Sequence, residues 1–192
     1  MKKLTGLKKT KSAVFISGKG SNLKALIKFS NKKISPILIK LIISNKSTAK
    51  GLKYANQSNI EKKIINFENS KIAEKKILNL LNKKKINFIC LAGFMKILSK
   101  NFLHKFKGKI INIHPSLLPK YKGLNTHQRT IKNHDKYSGC TVHYVTNKLD
   151  SGKIIMQKKI RINKNETIKS LEKKILKQEH LLYPSAIRKI FN

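Results

Sequence analysis

The stretch Ile111-Asn112-Ile113-His114-Pro115-Ser116-Leu117-Leu118-Pro119 places two polar side chains inside a short apolar run. If residues 110–114 form a β-strand, alternation puts Asn112 and His114 on one face and the isoleucines on the other. Pro115 cannot donate to a sheet ladder and favours an extended His114, so the strand is predicted to end there. Ligands bind at the carboxyl edge of open α/β sheets. The stretch therefore predicts an amide beside an imidazole at a binding edge.

Short β-branched runs alternate with segments of helical periodicity along much of the chain. The predicted strands are 13–17, 37–44, 64–67, 88–92, 110–114, 141–144 and 154–162. The predicted helices are 22–29, 71–81 and 166–190. Such alternation is typical of parallel βαβ units, whereas the last two strands follow each other directly. We expect an α/β fold with a Rossmann-like, mostly parallel twisted sheet, helices on both faces and partly antiparallel later strands.

The composition suits one compact domain. A chain of 192 residues with 40% hydrophobic content can bury about 70% of its unfolded surface. No internal repeat, low-complexity linker or Pro/Gly-rich boundary divides it. We therefore expect a single domain over residues 1–192.

The net charge of +36, from 44 Lys and Arg against 8 Asp and Glu, suggests an anionic partner at first sight. Nearly all of this charge is Lys, however, and Arg occurs only at Arg129, Arg161 and Arg188. The Lys residues are scattered along the chain with many Ile and Asn, which share AT-rich codons. Codon bias explains this pattern without a polyanion, so we expect no nucleic-acid partner.

The cysteines and the apolar runs indicate a cytoplasmic protein. Cys90 and Cys140 are isolated, with neither disulfide nor zinc-ligand spacing. The apolar run behind the Lys-rich start, residues 13–17, is too short for a signal-peptide core. The most apolar stretch, residues 34–44, is interrupted by Lys40 and is far shorter than the ~20 residues that span a bilayer. We expect no membrane partner and no metal.

A glycine-containing loop, Gly18-Lys19-Gly20-Ser21-Asn22, follows the first predicted strand and opens the first helix. Glycines permit close backbone approach, and free amide groups at a helix start attract anions such as phosphate. Leu23 stands where the dinucleotide fingerprint requires glycine, so NAD is not indicated. An ordinary strand-to-helix turn explains the loop about equally well.

An acidic residue in a turn, within Leu149-Asp150-Ser151-Gly152, is the candidate partner of the imidazole. A carboxylate beside a His ring fixes its tautomer and favours its protonated form. Asp150 could instead merely initiate a turn, and His114 could be a hydrogen-bonded structural residue.

A second apolar segment, Leu91-Ala92-Gly93-Phe94-Met95-Lys96-Ile97-Leu98, follows another predicted strand. Core packing at a strand end is one interpretation. The other is an apolar slot for a flat heterocycle.

Taken together, these motifs resemble those of the phosphoribosylglycinamide formyltransferases, a family of folate-dependent enzymes of purine synthesis. The resemblance runs in register over about residues 14–183. It is carried by Gly18–Leu23, Leu91–Leu98, Asn112–Tyr121, Thr126-His127-Gln128 and Leu149–Gly152.

The resemblance implies transfer of a formyl group from 10-formyltetrahydrofolate to the amine of N1-(5-phosphoribosyl)glycinamide. A phosphate- and nucleotide-binding half would cover about residues 1–100, and a catalytic and folate-binding half about residues 101–192. The implied catalytic residues are Asn112, His114 and Asp150. The implied ribonucleotide-binding residues are Gly20, Ser21, Asn22 and Glu179, and the implied folate-binding residues are Lys71, Met95, Lys96, Ile97, Leu98, Asn112 and His143.

In the implied reaction the substrate amine attacks the formyl carbon. Asn112 and protonated His114 would stabilise the oxyanion that forms, and Asp150 would orient and charge the ring. His114, or a water between it and Asp150, would move the proton to the departing folate nitrogen. Two departures from the family pattern are Lys96, where relatives often have Arg, and Asn125, which replaces a common His.

Other functions share parts of this pattern. Formyltetrahydrofolate hydrolase and methionyl-tRNA formyltransferase use the same Asn, His and Asp, but each is expected to carry an extra domain for which 192 residues leave no room. A basic nucleic-acid-binding module would suit the charge but lacks interleaved aromatic residues. An inactive remnant of the enzyme is disfavoured by the intact site positions.

Overall fold

The computed structural model describes residues 8–192, which form a seven-stranded sheet and six helices. The first seven residues of the predicted phosphate-binding half lie outside the described part. The strands are β1 Thr10–Ile16, β2 Ile37–Ser44, β3 Glu61–Ile64, β4 Phe88–Leu91, β5 Lys109–His114, β6 Tyr137–Tyr144 and β7 Ile154–Arg161. The helices are α1 Ser21–Ser30, α2 Leu52–Gln57, α3 Ser70–Lys83, α4 Lys100–Lys105, α5 Thr126–Lys132 and α6 Ile168–Phe191.

The sheet has the strand order β3-β2-β1-β4-β5-β6-β7. Strands β1 to β5 pair in parallel, and β6 and β7 join antiparallel. The chain moves outward from β1 to β3 and then returns to add β4 on the other side of β1. This reversal makes the carboxyl ends of β1 and β4 the topological switch point, where open α/β sheets bind ligands. The predicted fold class is confirmed, including the antiparallel later strands.

Two apolar clusters cover the two faces of the sheet. On one face, Val14 and Ile16 of β1 pack with Leu23 of α1 and Tyr183 of α6. On the other face, the alternate β1 residue Phe15 joins the buried side chains of α3 and α4. The period of two along β1 therefore sends neighbouring side chains into different cores.

The third strand was wrongly predicted at residues 64–67 and lies at Glu61–Ile64. All four of its residues are exposed, and it pairs with Leu41–Ser44 of β2 at the edge of the sheet. Phe67, which suggested the later position, is buried in the loop beyond the strand. The short helices α2, α4 and α5 were not predicted, since six or seven residues show too little periodicity.

No helix between residues 8 and 192 is long and apolar enough to span a bilayer.

Candidate active site

The strand register places Asn112 opposite one residue of each adjacent strand, at the carboxyl end of the parallel strands. It pairs with Leu91 of β4 on one side and with His143 of β6 on the other. Directly opposed residues of antiparallel strands project from the same face. The Asn112 amide nitrogen consequently lies 3.2 Å from His143 Nε2.

His114 lies two residues further along β5 and shares the face of Asn112. Its ring is 5% exposed, with Nε2 2.8 Å from the Tyr121 carbonyl oxygen and Nδ1 3.3 Å from Asp150 Oδ2. Both nitrogens thus face acceptors, and only a doubly protonated ring can donate to both. The surroundings are arranged to receive an imidazolium.

Burial lowers the pKa of His114, whereas the Tyr121 carbonyl and the Asp150 carboxylate raise it. The burial effect is larger, so the His114 pKa stays below the usual value of 6.5. Asp150 thus favours the protonated ring, as predicted, but the removal of water from the ring opposes this effect. A singly protonated ring can donate to the Tyr121 carbonyl or to Asp150, but not to both.

Asp150 occupies the loop between β6 and β7 with a left-handed backbone, φ +45°. Its Oδ2 also accepts a hydrogen bond of 2.8 Å from the Gly123 N–H. Burial alone would raise the pKa of Asp150, but the contacts with His143 and Gly123 and the proximity of His114 hold it below its ordinary value. Asp150 is therefore a carboxylate poised beside two imidazoles.

His143 links the amide to the carboxylate. Its Nδ1 lies 2.9 Å from the Tyr144 carbonyl oxygen, which only accepts, so Nδ1 carries a proton. Its Nε2 accepts from Asn112 when the ring is neutral and lies 3.6 Å from Asp150 Oδ1. The predicted folate residue His143 is thus a buried member of the polar network as well as part of the adjoining cavity wall.

A narrow cavity opens beside this network. It is lined by Leu91, Phe94, Lys96, Ile97, Leu98, Asn112, His143, Val145, Thr146, Lys148, Leu149 and Asp150. The predicted folate residues Lys96 to Leu98 are therefore brought together with Asn112 and His143. Met95 is 60% exposed just outside the lining, with its N–H bonded to Ser17 Oγ.

Lys71 is not part of this cavity. It lines a groove of about 780 Å³ between α3 and α4. A groove of about 600 Å³ lies between α1 and α6. We place the candidate active site at the smaller cavity, because its wall includes the buried His143 and Asp150.

The loop before α1 packs closely against the start of α2. Gly20 has φ +74°, and a Cβ there would lie 2.4 Å from Gly51 Cα. The Gly51 N–H donates to the Gly18 carbonyl at 2.9 Å, which holds the two segments together. Gly20 therefore allows α1 to start with free N–H groups at Ser21 and Asn22, at the switch point of the sheet.

Asn22 and Glu179 meet beside this loop, because α1 packs on α6. Asn22 Nδ2 donates to Glu179 Oε2 at 2.7 Å, and both side chains are buried. The Asn22 Oδ1 atom is buried without a partner among the described residues. Burial raises the pKa of Glu179 to about 7; Asn22 acts to lower it and Glu172 to raise it. Asn22 Oδ1 and the Glu179 carboxyl thus form a pair of groups that can accept hydrogen bonds from an N–H donor.

Two backbone groups of the site were not predicted from the sequence, namely the Tyr121 carbonyl and the Gly123 N–H. Both follow the Pro119 turn, and backbone groups carry no residue-type signal. The one available hint was their position directly after the predicted strand end. Among residues 8–192, no group of three or more His, Cys, Asp or Glu is arranged to hold a metal.

Comparison with known proteins places this site in a family. The formyl transferase family model matches residues 10–187. A phosphoribosylglycinamide formyltransferase of Haemophilus influenzae is 42% identical over 181 residues, covering 93% of this chain and 85% of that protein. The human trifunctional purine biosynthetic protein adenosine-3 is 39% identical over 184 residues, but the chain spans only 18% of its length.

Solved structures agree with this comparison. The crystal structure of phosphoribosylglycinamide formyltransferase from Brucella melitensis superposes with a TM-score of 0.90 at 40% identity, covering 95% of this chain and 96% of that one. A family match over most of the chain, with the fold reproduced, is decisive. The chain belongs to the formyl transferase family.

Proposed function

We propose that this chain transfers a formyl group from 10-formyltetrahydrofolate to the amine of N1-(5-phosphoribosyl)glycinamide, a step of purine biosynthesis. The single observation that carries the proposal is the polar network of Asn112, His143, Asp150 and His114, of which the first three line a cavity. The relatives named phosphoribosylglycinamide formyltransferase support it. Such an enzyme works in the cytoplasm on small-molecule substrates.

The ribonucleotide binds at the switch point. Its phosphate is held by the backbone N–H groups at Gly20, Ser21 and Asn22, where the helix dipole favours an anion. Its glycinamide end donates to the Glu179 carboxylate and to Asn22 Oδ1, which has no partner within the described chain. This arrangement explains a buried carboxyl that would otherwise only cost stability.

The folate binds in the cavity between the Lys96–Leu98 segment and the loop after β6. The apolar side chains Ile97, Leu98 and Leu149 face a flat ring, and Lys96 supplies a positive charge for the carboxylates of the tail. Asn112 lines the same cavity, and the formyl group binds next to its amide. Lys71, which lines the groove between α3 and α4, takes no part in the ring pocket.

The reaction forms a bond between the amine nitrogen and the formyl carbon, and the carbonyl oxygen becomes an oxyanion. The second N–H of the Asn112 amide donates to this oxygen, while His143 holds the amide in place through the first. The intermediate then collapses by breaking the bond to folate N10. One proton leaves the amine and one proton arrives at N10, so the transfer needs no other reactant.

His114 carries the proton. In the singly protonated form that donates from Nε2 to Tyr121, the ring has Nδ1 open to accept a proton beside Asp150. When the attacking amine gives up its proton, directly or through a water, the imidazolium that forms is bonded by Tyr121 on one side and Asp150 on the other. Burial, which lowers the His114 pKa, favours the form of the ring that can accept a proton, and the two acceptors stabilise its charged form.

A purified-protein assay with both substrates tests the proposal. We expect formylated ribonucleotide and tetrahydrofolate in equal amounts, measured by mass spectrometry and absorbance. Formate release without formylated product would instead identify a hydrolase. Absence of both products, with salt-dependent RNA binding, would indicate a nucleic-acid-binding module.

A further inference from the structure

The Tyr121 carbonyl accepts from the His114 ring nitrogen that faces away from Asp150, at 2.8 Å. Tyr121 has a left-handed backbone, φ +56°, which is unfavourable for a residue with a bulky side chain. Such a conformation persists when the surroundings hold it. The carbonyl direction therefore depends on what restrains the loop between β5 and α5.

The Tyr121 side chain is restrained from several sides. Its hydroxyl donates to Asp135 Oδ2 at 2.8 Å and accepts from Asn133 Nδ2 at 3.0 Å. The Arg129 guanidinium lies 5.0 Å from the ring centroid and donates to the Lys122 carbonyl at 2.7 Å. Contacts from α5 and the residues after it thus restrain the loop that carries the Tyr121 carbonyl.

The backbone beside Tyr121 is held as well. Ser116 Oγ donates to the Lys120 carbonyl at 2.6 Å, and Lys120 Nζ lies 3.4 Å from Asp135 Oδ1. Asp135 therefore contacts two consecutive residues of the loop with its two oxygens. Its side chain touches neither His114 nor Asp150, so its influence on the ring passes through Tyr121.

We propose that Tyr121 and Asp135 are positioning residues for His114, the bond between their side chains keeping the Tyr121 carbonyl on the His114 ring. This rests on the proposed function, in which His114 carries the proton. If the bond is lost, the strained backbone relaxes and the carbonyl turns away from Nε2. The ring then loses its fixed tautomer and one of the two acceptors of its charged form.

The direction of the effect follows from the groups that face His114. Asp150 and the Tyr121 carbonyl raise its pKa, His143 and Arg129 lower it, and His127 lies close enough to feel its charge. Withdrawing the carbonyl leaves the other four in place. The His114 pKa therefore falls further below its ordinary value.

The test compares single, rescue and control variants in the full chain. Tyr121→Phe removes only the hydroxyl, and Asp135→Ala removes its acceptor. Asp135→Asn keeps an oxygen that accepts from the hydroxyl and serves as the rescue. Tyr137→Phe is the control, because the 46% exposed Tyr137 ring contacts Lys159 away from the site.

We expect Tyr121→Phe and Asp135→Ala each to lower kcat about 10-fold with KM changed less than about 2-fold, as for a misplaced catalytic group. The limb of the pH–rate profile that follows His114 moves to lower pH, and so does the His114 titration seen by NMR. The double variant Tyr121→Phe/Asp135→Ala loses no more than the worse single variant, because one interaction is removed twice. Asp135→Asn recovers most of the rate.

Equal behaviour of Tyr121→Phe and Tyr137→Phe in rate and His114 titration would overturn the proposal, and so would fully additive losses in the double variant. Thermal unfolding of each variant identifies a general loss of structure. If Asp135→Ala unfolds, the comparison of Tyr121→Phe with Tyr137→Phe decides the question. The NMR titration needs no turnover. It separates failure of this proposal from failure of the proposed function, which the substrate assay reports.

Discussion

Asn22 and Glu179 are 157 positions apart in the chain, yet their buried side chains share a hydrogen bond of 2.7 Å. The bond joins the first turn of α1 to the middle of α6. Because α1 begins at the proposed phosphate loop, the pair links anion binding to the proposed amine contact. It also leaves a carboxyl whose pKa burial raises to about 7.

Replacing Glu179 by Gln is expected to change how stability depends on pH. The folded state keeps a proton that the unfolded carboxyl, with its pKa of 4.5, has lost, so the contribution of Glu179 is complete below pH 4.5 and disappears as pH rises through about 7. At about 1.4 kcal/mol per pKa unit, the ionised form costs on the order of 3 kcal/mol. Urea unfolding should show Glu179→Gln gaining stability relative to the unmodified chain between pH 4.5 and pH 8. The exposed Glu68→Gln is the control, and an equal trend in both variants would contradict this explanation.

A methyl group at Gly20 is expected to damage both stability and substrate binding. It would meet the Gly51 backbone and force a positive φ on alanine. We expect a loss of about 2 kcal/mol or more in the free energy of unfolding, with weaker phosphate binding. Gly18→Ala is the matched control, because a Cβ there meets nothing within 4 Å. Comparable unfolding curves for the two variants would show that the close contact between Gly20 and Gly51 is not needed for stability.

Removing the proposed oxyanion donor, Asn112, or the proposed proton carrier, His114, should lower kcat. Asn112→Ala and His114→Ala are each expected to lower kcat by about 100- to 1000-fold, the usual effect of losing one such group. Single-turnover measurements at saturating substrate report the chemical step directly. The exposed Asn79→Ala on α3 serves as the control for amide loss. A near-normal single-turnover rate in Asn112→Ala would exclude the amide from the reaction.

Asp150→Asn should shift the titration of His114. The carboxylate raises the His114 pKa against the effect of burial, so its neutral replacement moves the pKa to lower pH. NMR of the ring protons measures this shift in the absence of substrate. We also expect a rate loss of about 100-fold or more, as when a carboxylate that orients a catalytic His is neutralised. An unchanged titration would mean that the 3.3 Å contact carries little charge interaction.

The two lysines predicted to bind folate should behave differently. Lys96 lines the candidate cavity, whereas Lys71 lines the groove between α3 and α4. Lys96→Ala is expected to raise the folate KM by up to about 5-fold, the range of an exposed ion pair, and Lys71→Ala to leave it unchanged. The comparison at two salt concentrations isolates the charge effect, which salt weakens. A larger effect of Lys71→Ala than of Lys96→Ala on the folate KM would indicate that the tail of the folate binds on the α3 side.

Local rules were sufficient to predict strand β5. Alternation and Pro115 predicted that β5 ends at His114 with Asn112 on the same face, because period two and the missing proline N–H act within a few residues. The same rules failed for β3. Its four exposed residues, Glu61–Ile64, include three charged ones and form a strand because they pair with β2. Such pairing leaves no apolar pattern in the edge strand itself.

The sequence by itself determined the α/β class, the polar pair on β5 and, through five ordered motifs, the resemblance to one enzyme family. Tertiary structure alone decided that His143 stands between Asn112 and Asp150, that Glu179 reaches Asn22, and that Lys71 lies in another groove. It also decided the direction in which the pKa of His114 is shifted, since a pKa depends on burial and on acceptors such as the Tyr121 carbonyl. These features depend on strand register, helix packing and lost water, which residues distant in sequence create together.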